Sequence, residues 1–190
     1  RRNTNCSIAE SLQRIVPVVE GTHAVGRRVR GYVSCIVGCP YEGKILPGAG
    51  AHVVEGLVAA GCDEISLGDT IGVARPSEID AVLDTVLPSV AAGRLAIHAH
   101  DTYGMAIANV LRCVERGLRS FDASIAGLGG CPYAPGASGN AATEDVAYLL
   151  DGLGLRAGID LDQLAETGAW ISGQLGRPNG SKAGAATAGA

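Results

Sequence analysis

Apolar residues along this chain come in two spacings. Short β-branched runs at Val29 to Ile36 (VRGYVSCI), Glu64 to Leu67, Leu95 to His100 and Phe121 to Ala126 read as strands, and each gives way to a polar or glycine-rich turn. Longer stretches between them predict helices over Ala49 to Ala60, Ser77 to Val90, Met105 to Arg116 and Ala141 to Leu150, with a last one from Leu161 to Leu175. Pro76 and Ser77 give the second helix a good start, and Gly93 lies just past its end. Strand starts recur every roughly 26 to 35 residues, about the length of one βα unit. The fold class expected is α/β, of the (β/α)8 TIM-barrel kind. A closed barrel of that kind needs eight strands and about 250 residues. Only about four units are visible, so a partial barrel with carboxyl-terminal helices is expected, with residues 1–175 forming the carboxyl-terminal part of a barrel domain. From Gly176 onward GRPNGSKAGAATAGA has no periodic apolar face, and 176–190 reads as a disordered tail. The chain opens on Arg1 and its one methionine is Met105, the pattern of a piece of something longer.

Composition narrows the function classes. The 190 residues are 47% hydrophobic, a globular value and enough for one well-cored domain. A net charge of −4 without a basic block, and aromatics at 4%, speak against a nucleic-acid partner. No apolar run is long enough to cross a bilayer, and no secretory signal is visible, so no membrane partner is expected. The six cysteines, at 6, 35, 39, 62, 113 and 131, are sparse and form no CxxC pair, which fits reduced thiols in the cytoplasm. All but Cys131 read as small hydrophobes. The triplets Asn5-Cys6-Ser7 and Asn179-Gly180-Ser181 fit a glycosylation pattern that means nothing without secretion.

The residues that could do chemistry gather at the carboxyl ends of the strands, where barrel enzymes build their sites. His98 and His100, at i and i+2 of a strand, project from one face and can converge on one cation. The bland alternative is a pair of satisfied polar groups at a strand end. Gly127 to Asn140 (GLGGCPYAPGASGN) holds five glycines and two prolines around Cys131. Such a loop has little apolar mass to bury a thiol, so Cys131 is a candidate proton donor or nucleophile. Asn140 is a candidate third metal ligand, and a mixed nitrogen and oxygen set favours Mg²⁺ or Mn²⁺ over structural zinc. Asp69 and Thr70 follow another strand. Asp69 and Asp101 have a capping role as their alternative. Glu144, four residues past Asn140, would share its helical face and support it from behind. Gly38 to Ile45 has the glycine and lysine spacing of a phosphate loop. It ends in Ile45 where Ser or Thr is needed, and Pro40 removes one cradle N–H, so nucleotide hydrolysis is rejected.

The segments NCSIAES, VRGYVSC, GCPYEGKI, EISLGDTIG, HAHDTYG and AGLGGCPYAPGASGNAATEDVAYLL together resemble the hydroxymethylglutaryl-CoA lyase family, over Asn3 to about Gly168. The resemblance implies divalent-metal-dependent retro-Claisen cleavage of 3-hydroxy-3-methylglutaryl-CoA to acetyl-CoA and acetoacetate, in leucine degradation and ketone-body formation. It implies His98, His100 and Asn140 as metal ligands, Cys131 as the catalytic thiol, His98 as a proton shuttle, and Asp69 and Thr70 as substrate-binding residues. It also implies an acyl-CoA substrate, a homodimer when complete, and a cytoplasmic location, or the mitochondrial matrix if a transit peptide was lost upstream. The family's first strand carries an Arg-Asp pair that completes the site, and nothing in this chain matches it. A non-catalytic metal- or CoA-ester-binding remnant of a lyase, or a related aldolase or synthase, is the alternative.

Overall fold

The computed structural model describes residues 4–130 and 139–188. Four strands form one parallel sheet in the order β1-β4-β5-β6, comprising β1 (Arg30–Val33), β4 (Glu64–Asp69), β5 (Leu95–Ala99) and β6 (Ser120–Asp122). A two-stranded antiparallel hairpin, β2 (Gly38–Cys39) with β3 (Gly43–Lys44), occupies the segment whose spacing imitates a phosphate loop. The helices between strands are α2 (Pro47–Ala59), α3 (Pro76–Val86) and α4 (Ala106–Glu115), with α5 (Thr143–Gly152) and α6 (Leu161–Leu175) after them. This is the α/β partial barrel that the strand rhythm predicts.

The sheet has two unlike faces. Ile65, Leu67, Leu95, Ile97 and Ala99 are buried against Leu57, Ile79, Leu83, Val110 and Leu118 in one core, which the parallel sheet shares with the helices covering it. The opposite face carries Arg30, Glu64, Ser66, His98, Ser120 and Asp122 at alternate strand positions, in register across the sheet. Cys62 and Cys113 belong to the core, and burial pushes the Cys113 thiol up to about 12, where it is inert.

Several boundaries differ from the sequence expectation. Helix α3 stops at Val86: Leu87 keeps helical angles (φ −59°, ψ −27°), but Pro88 has no N–H to continue the i→i−4 ladder; Gly93 instead lies in the 3-10 turn Ala92–Arg94. An unpredicted helix, α1 (Ile8–Ala24), opens the described chain on a capping box. Ser7 Oγ accepts from Glu10 N at 3.2 Å, and Glu10 Oε2 accepts from Ser7 N at 2.6 Å. Within the expected disordered tail, 182–188 instead form α7 (Lys182–Ala188). Its contacts are tertiary. Ser181, only 1% exposed, donates to Asp145 Oδ1 at 2.7 Å, and the same oxygen accepts from Ala183 N at 2.7 Å.

Candidate active site

Strand β5 delivers the two histidines. His98 and His100 sit two residues apart at its carboxyl end, and their Nε2 atoms are 3.3 Å apart. Two nitrogens sharing one divalent cation at a bond length of roughly 2.1 Å sit about 3.0 to 3.4 Å apart. The observed spacing fits. Burial first, and the neighbouring His98 second, push the His100 pKa down, which favours the neutral ring a metal requires.

Asn140 arrives by a route the sequence does not show. Helix α5 begins at Thr143, so Asn140 is not on it. Residues 140–142 instead run as an extended segment beside the end of β5: His100 bridges Asn140, Ala141 N donates to Ala99 O at 2.9 Å, and Ser124 N donates to Ala141 O at 3.0 Å. The Asn140 amide then donates through Nδ2 to Leu128 O at 2.8 Å, while its buried Oδ1 meets no donor in good hydrogen-bond geometry, although the amide is close enough to the His100 ring to oppose the lowering of that pKa. A buried amide oxygen without a well-aligned donor, beside two converging imidazoles, is an acceptor waiting for a cation or a proton donor. Among the described residues no three His, Cys, Asp or Glu side chains form a metal cluster, so a six-coordinate ion held by these candidate ligands would need further oxygen donors.

Glu144, expected to support Asn140 from a shared helical face, instead bonds the turn that precedes Leu128. Fully buried in the first turn of α5, it accepts with both carboxylate oxygens, each at 3.0 Å, from Ala126 N, in the turn just before Leu128. Thr70 Oγ1 accepts from Cys35 N at 2.8 Å and so ties the loop after β4 to the loop after β1. Asp69, expected to bind substrate, is engaged within its own loop. It lies on the strand face opposite His98, is 1% exposed, and accepts from Val73 N at 3.1 Å and Ala74 N at 3.0 Å, closing its own loop. Burial raises its pKa against those hydrogen bonds. Asp101 takes its capping alternative, accepting from Ala106 N at 2.9 Å at the start of α4. Cys131 lies outside the described residues.

Sequence reasoning missed Asp122. Its Oδ2 lies 3.5 Å from His98 Nδ1 and accepts from Ser66 Oγ at 3.0 Å, while its Oδ1 takes Arg30 Nη1 at 2.6 Å. Arg30 continues the network to Glu64 Oε2 at 2.9 Å and Ser120 Oγ at 3.1 Å. Burial alone would raise the Asp122 pKa, but hydrogen bonds from His98 and Ser66 and the Arg30 charge hold it down at about 2. A carboxylate on the far nitrogen of a ligand histidine fixes its tautomer and ring plane. The available signal was a run of polar residues at alternate positions of strands that otherwise read as buried.

A family model described as HMGL-like matches residues 1–171, a span that includes these strand ends. The chain belongs to the HMGL-like family. It is 53% identical over 188 residues to the hydroxymethylglutaryl-CoA lyase of Pseudomonas mevalonii, an alignment covering 99% of this chain and 62% of that protein. The mitochondrial hydroxymethylglutaryl-CoA lyase of Bos taurus is 53% identical over 187 residues, covering 98% of this chain and 58% of the relative. The crystal structure of hydroxymethylglutaryl-CoA lyase from Pseudomonas aeruginosa superposes with a TM-score of 0.92 at 50% identity, over 97% of this chain and 62% of that one. This HMGL-like chain thus spans about 60% of the length of the relatives it matches, and its four-stranded sheet is part of their barrel. Those relatives include both bacterial and mitochondrial proteins. Among the described residues no helix is long and apolar enough to cross a membrane.

Proposed function

We propose that the complete protein cleaves 3-hydroxy-3-methylglutaryl-CoA to acetyl-CoA and acetoacetate, and that residues 1–175 are the carboxyl-terminal part of its barrel. The observation that carries this reading is the approach of His98 and His100 Nε2 to 3.3 Å beside the buried Oδ1 of Asn140, which meets no donor in good hydrogen-bond geometry. These three side chains fit a hard divalent ion, Mg²⁺ or Mn²⁺, which when bound polarises the substrate's hydroxyl oxygen and lowers its pKa. His98, turned by Asp122 at Nδ1, would present Nε2 to the cation together with His100; a nitrogen so engaged has no lone pair for the hydroxyl proton, so the proton-shuttle role that the resemblance implies for His98 would require Nε2 off the cation, and otherwise the proton leaves to a base in the rest of the complete site. Loss of that proton drives the carbon–carbon bond to break, and Cys131 donates a proton to the departing acetyl-CoA carbanion. Thr70, which joins two loops at the same strand ends, shapes the substrate side of the site. The names of the relatives support the acyl-CoA substrate. Leucine degradation and ketone-body formation are the pathways such a cleavage would serve, and the cytoplasm or the mitochondrial matrix is the compartment proposed. The assembly proposed for the complete protein is a homodimer.

The test is Mg²⁺-dependent release of acetoacetate from the chain alone and from the chain joined to the upstream part of a relative. Activity in the joined protein is expected. Activity in neither would sink the lyase reading and favour a metal- or CoA-ester-binding protein.

A further inference from the structure

The segment whose composition reads as a tail holds the turn that orients Asn140. Helix α6 ends at Gly176 in the left-handed region, φ 60°, and the chain turns back toward α5. Asn179 Oδ1 accepts from Ser181 N at 2.8 Å. Ser181 Oγ accepts from Gly184 N at 2.9 Å while donating to Asp145. This seating brings Gly180 against the 3-10 turn Ile125–Gly127, where Gly180 N donates to Ala126 O at 3.1 Å. Only glycine fits, since a Cβ there would stand 2.7 Å from that carbonyl oxygen.

Ala126 is the unusual residue. Its φ of 54° is in the left-handed region, which costs an alanine on the order of 1 kcal/mol and persists only where the surroundings over-determine it. Both of its backbone groups are gripped: the N–H by Glu144 and the carbonyl by Gly180. Two residues later the Leu128 carbonyl takes the Asn140 Nδ2, which decides that nitrogen faces the turn and leaves Oδ1 as the free acceptor.

We propose that Asn179–Ser181 is a positioning clamp for the cation site: acting through Ala126 and Leu128, it fixes the Asn140 amide with its oxygen toward the cation. The inference rests on the reading of His98, His100 and Asn140 as cation ligands. The triplet that matches a glycosylation pattern is, on this account, a backbone lock.

The experiment uses the full-length protein, and Mn²⁺ affinity is followed by the electron-paramagnetic-resonance signal of the free ion, alongside kcat, KM and Tm. Gly180→Ala displaces the Ala126 carbonyl, and Ser181→Ala, a gentler change that folds if the first does not, removes the hydroxyl that seats the segment. Val82→Ala, in the α3 core far from the site, sets the baseline for a variant that only loses stability. The expected result is about tenfold weaker Mn²⁺ binding and a lower kcat in the segment variants, with Val82→Ala binding Mn²⁺ as the parent does. The proposal is overturned if the folded segment variants lose Tm yet keep Mn²⁺ affinity within twofold of the parent. Asn140→Ala separates the two ways of failing. If it weakens Mn²⁺ binding while the segment variants do not, the clamp alone is wrong; if it too leaves binding unchanged, the ligand reading falls and the clamp with it.

Discussion

At the residue scale, the two carboxylates nearest the histidine strand do opposite jobs because they stand on opposite sheet faces. Asp122 belongs to the polar face and anchors His98, so Asp122→Asn removes the counter-charge of Arg30 and frees the imidazole to rotate or change tautomer. The fold should survive, and Mn²⁺ affinity measured by calorimetry in the full-length protein should fall about tenfold. An unchanged affinity would remove Asp122 from the site. Asp69 belongs to the core face, and Asp69→Ala leaves the Val73 and Ala74 N–H groups without their acceptor. The cost should be about 1–3 kcal/mol in urea denaturation. Its titration adds a pH signature. Because burial raises the folded pKa, the contribution of Asp69 is fully present below the unfolded value, near 3.9, and is lost as pH rises through the folded value. An Asp69→Asn protein, lacking that titration, should therefore gain stability relative to the parent as pH rises through this window. Asp122 drew no reading from the chain, and for Asp69 the acceptance of backbone N–H groups stood only as an alternative to substrate binding; face and register decide.

At the element scale, α5 does two things with neighbouring side chains. Glu144 holds the turn below Leu128, and Asp145 caps α7. Helix α6 must lie close enough to cover Glu144, and Gly168 is the residue that allows this, since a Cβ there would collide with Glu144 Oε1. Gly168→Ala should cost about 1–3 kcal/mol by overpacking. Gly173→Ala, on the same helix with open space around it, should stabilise by about 0.5–1 kcal/mol through helix propensity. Thermal melts of the two variants should move in opposite directions, and a common direction would refute the packing account. Helices α2, α3, α4 and α6 were readable from their periodic apolar faces. Helix α1 was missed although its Ser7 to Glu10 capping box stands in the sequence, and α7 could not be seen. Its residues KAGAATA have no apolar face, so its order comes from Ser181, Asp145 and the surface of α6.

At the scale of the whole molecule, β4 and β5 are paired on both sides while β1 and β6 each have one partner in the sheet. Amides of β1 and β6 should therefore exchange faster than those of β4 and β5 in hydrogen-exchange mass spectrometry of this chain, and slow when the upstream part of a relative is joined to it. Equal protection in both preparations would mean that the sheet ends are not where the barrel continues. The sequence by itself determined the α/β class, the βα rhythm and the pairing of His98 with His100, because these follow from local periodicity and the two-residue repeat of a strand. Tertiary structure alone decided that Asn140 returns alongside β5, that Asp122 stands behind His98, and that the last residues clamp the turn at Ala126. Those relations join positions far apart in the chain, and their physical basis is strand register, helix packing and burial, none of which leaves a spacing to read.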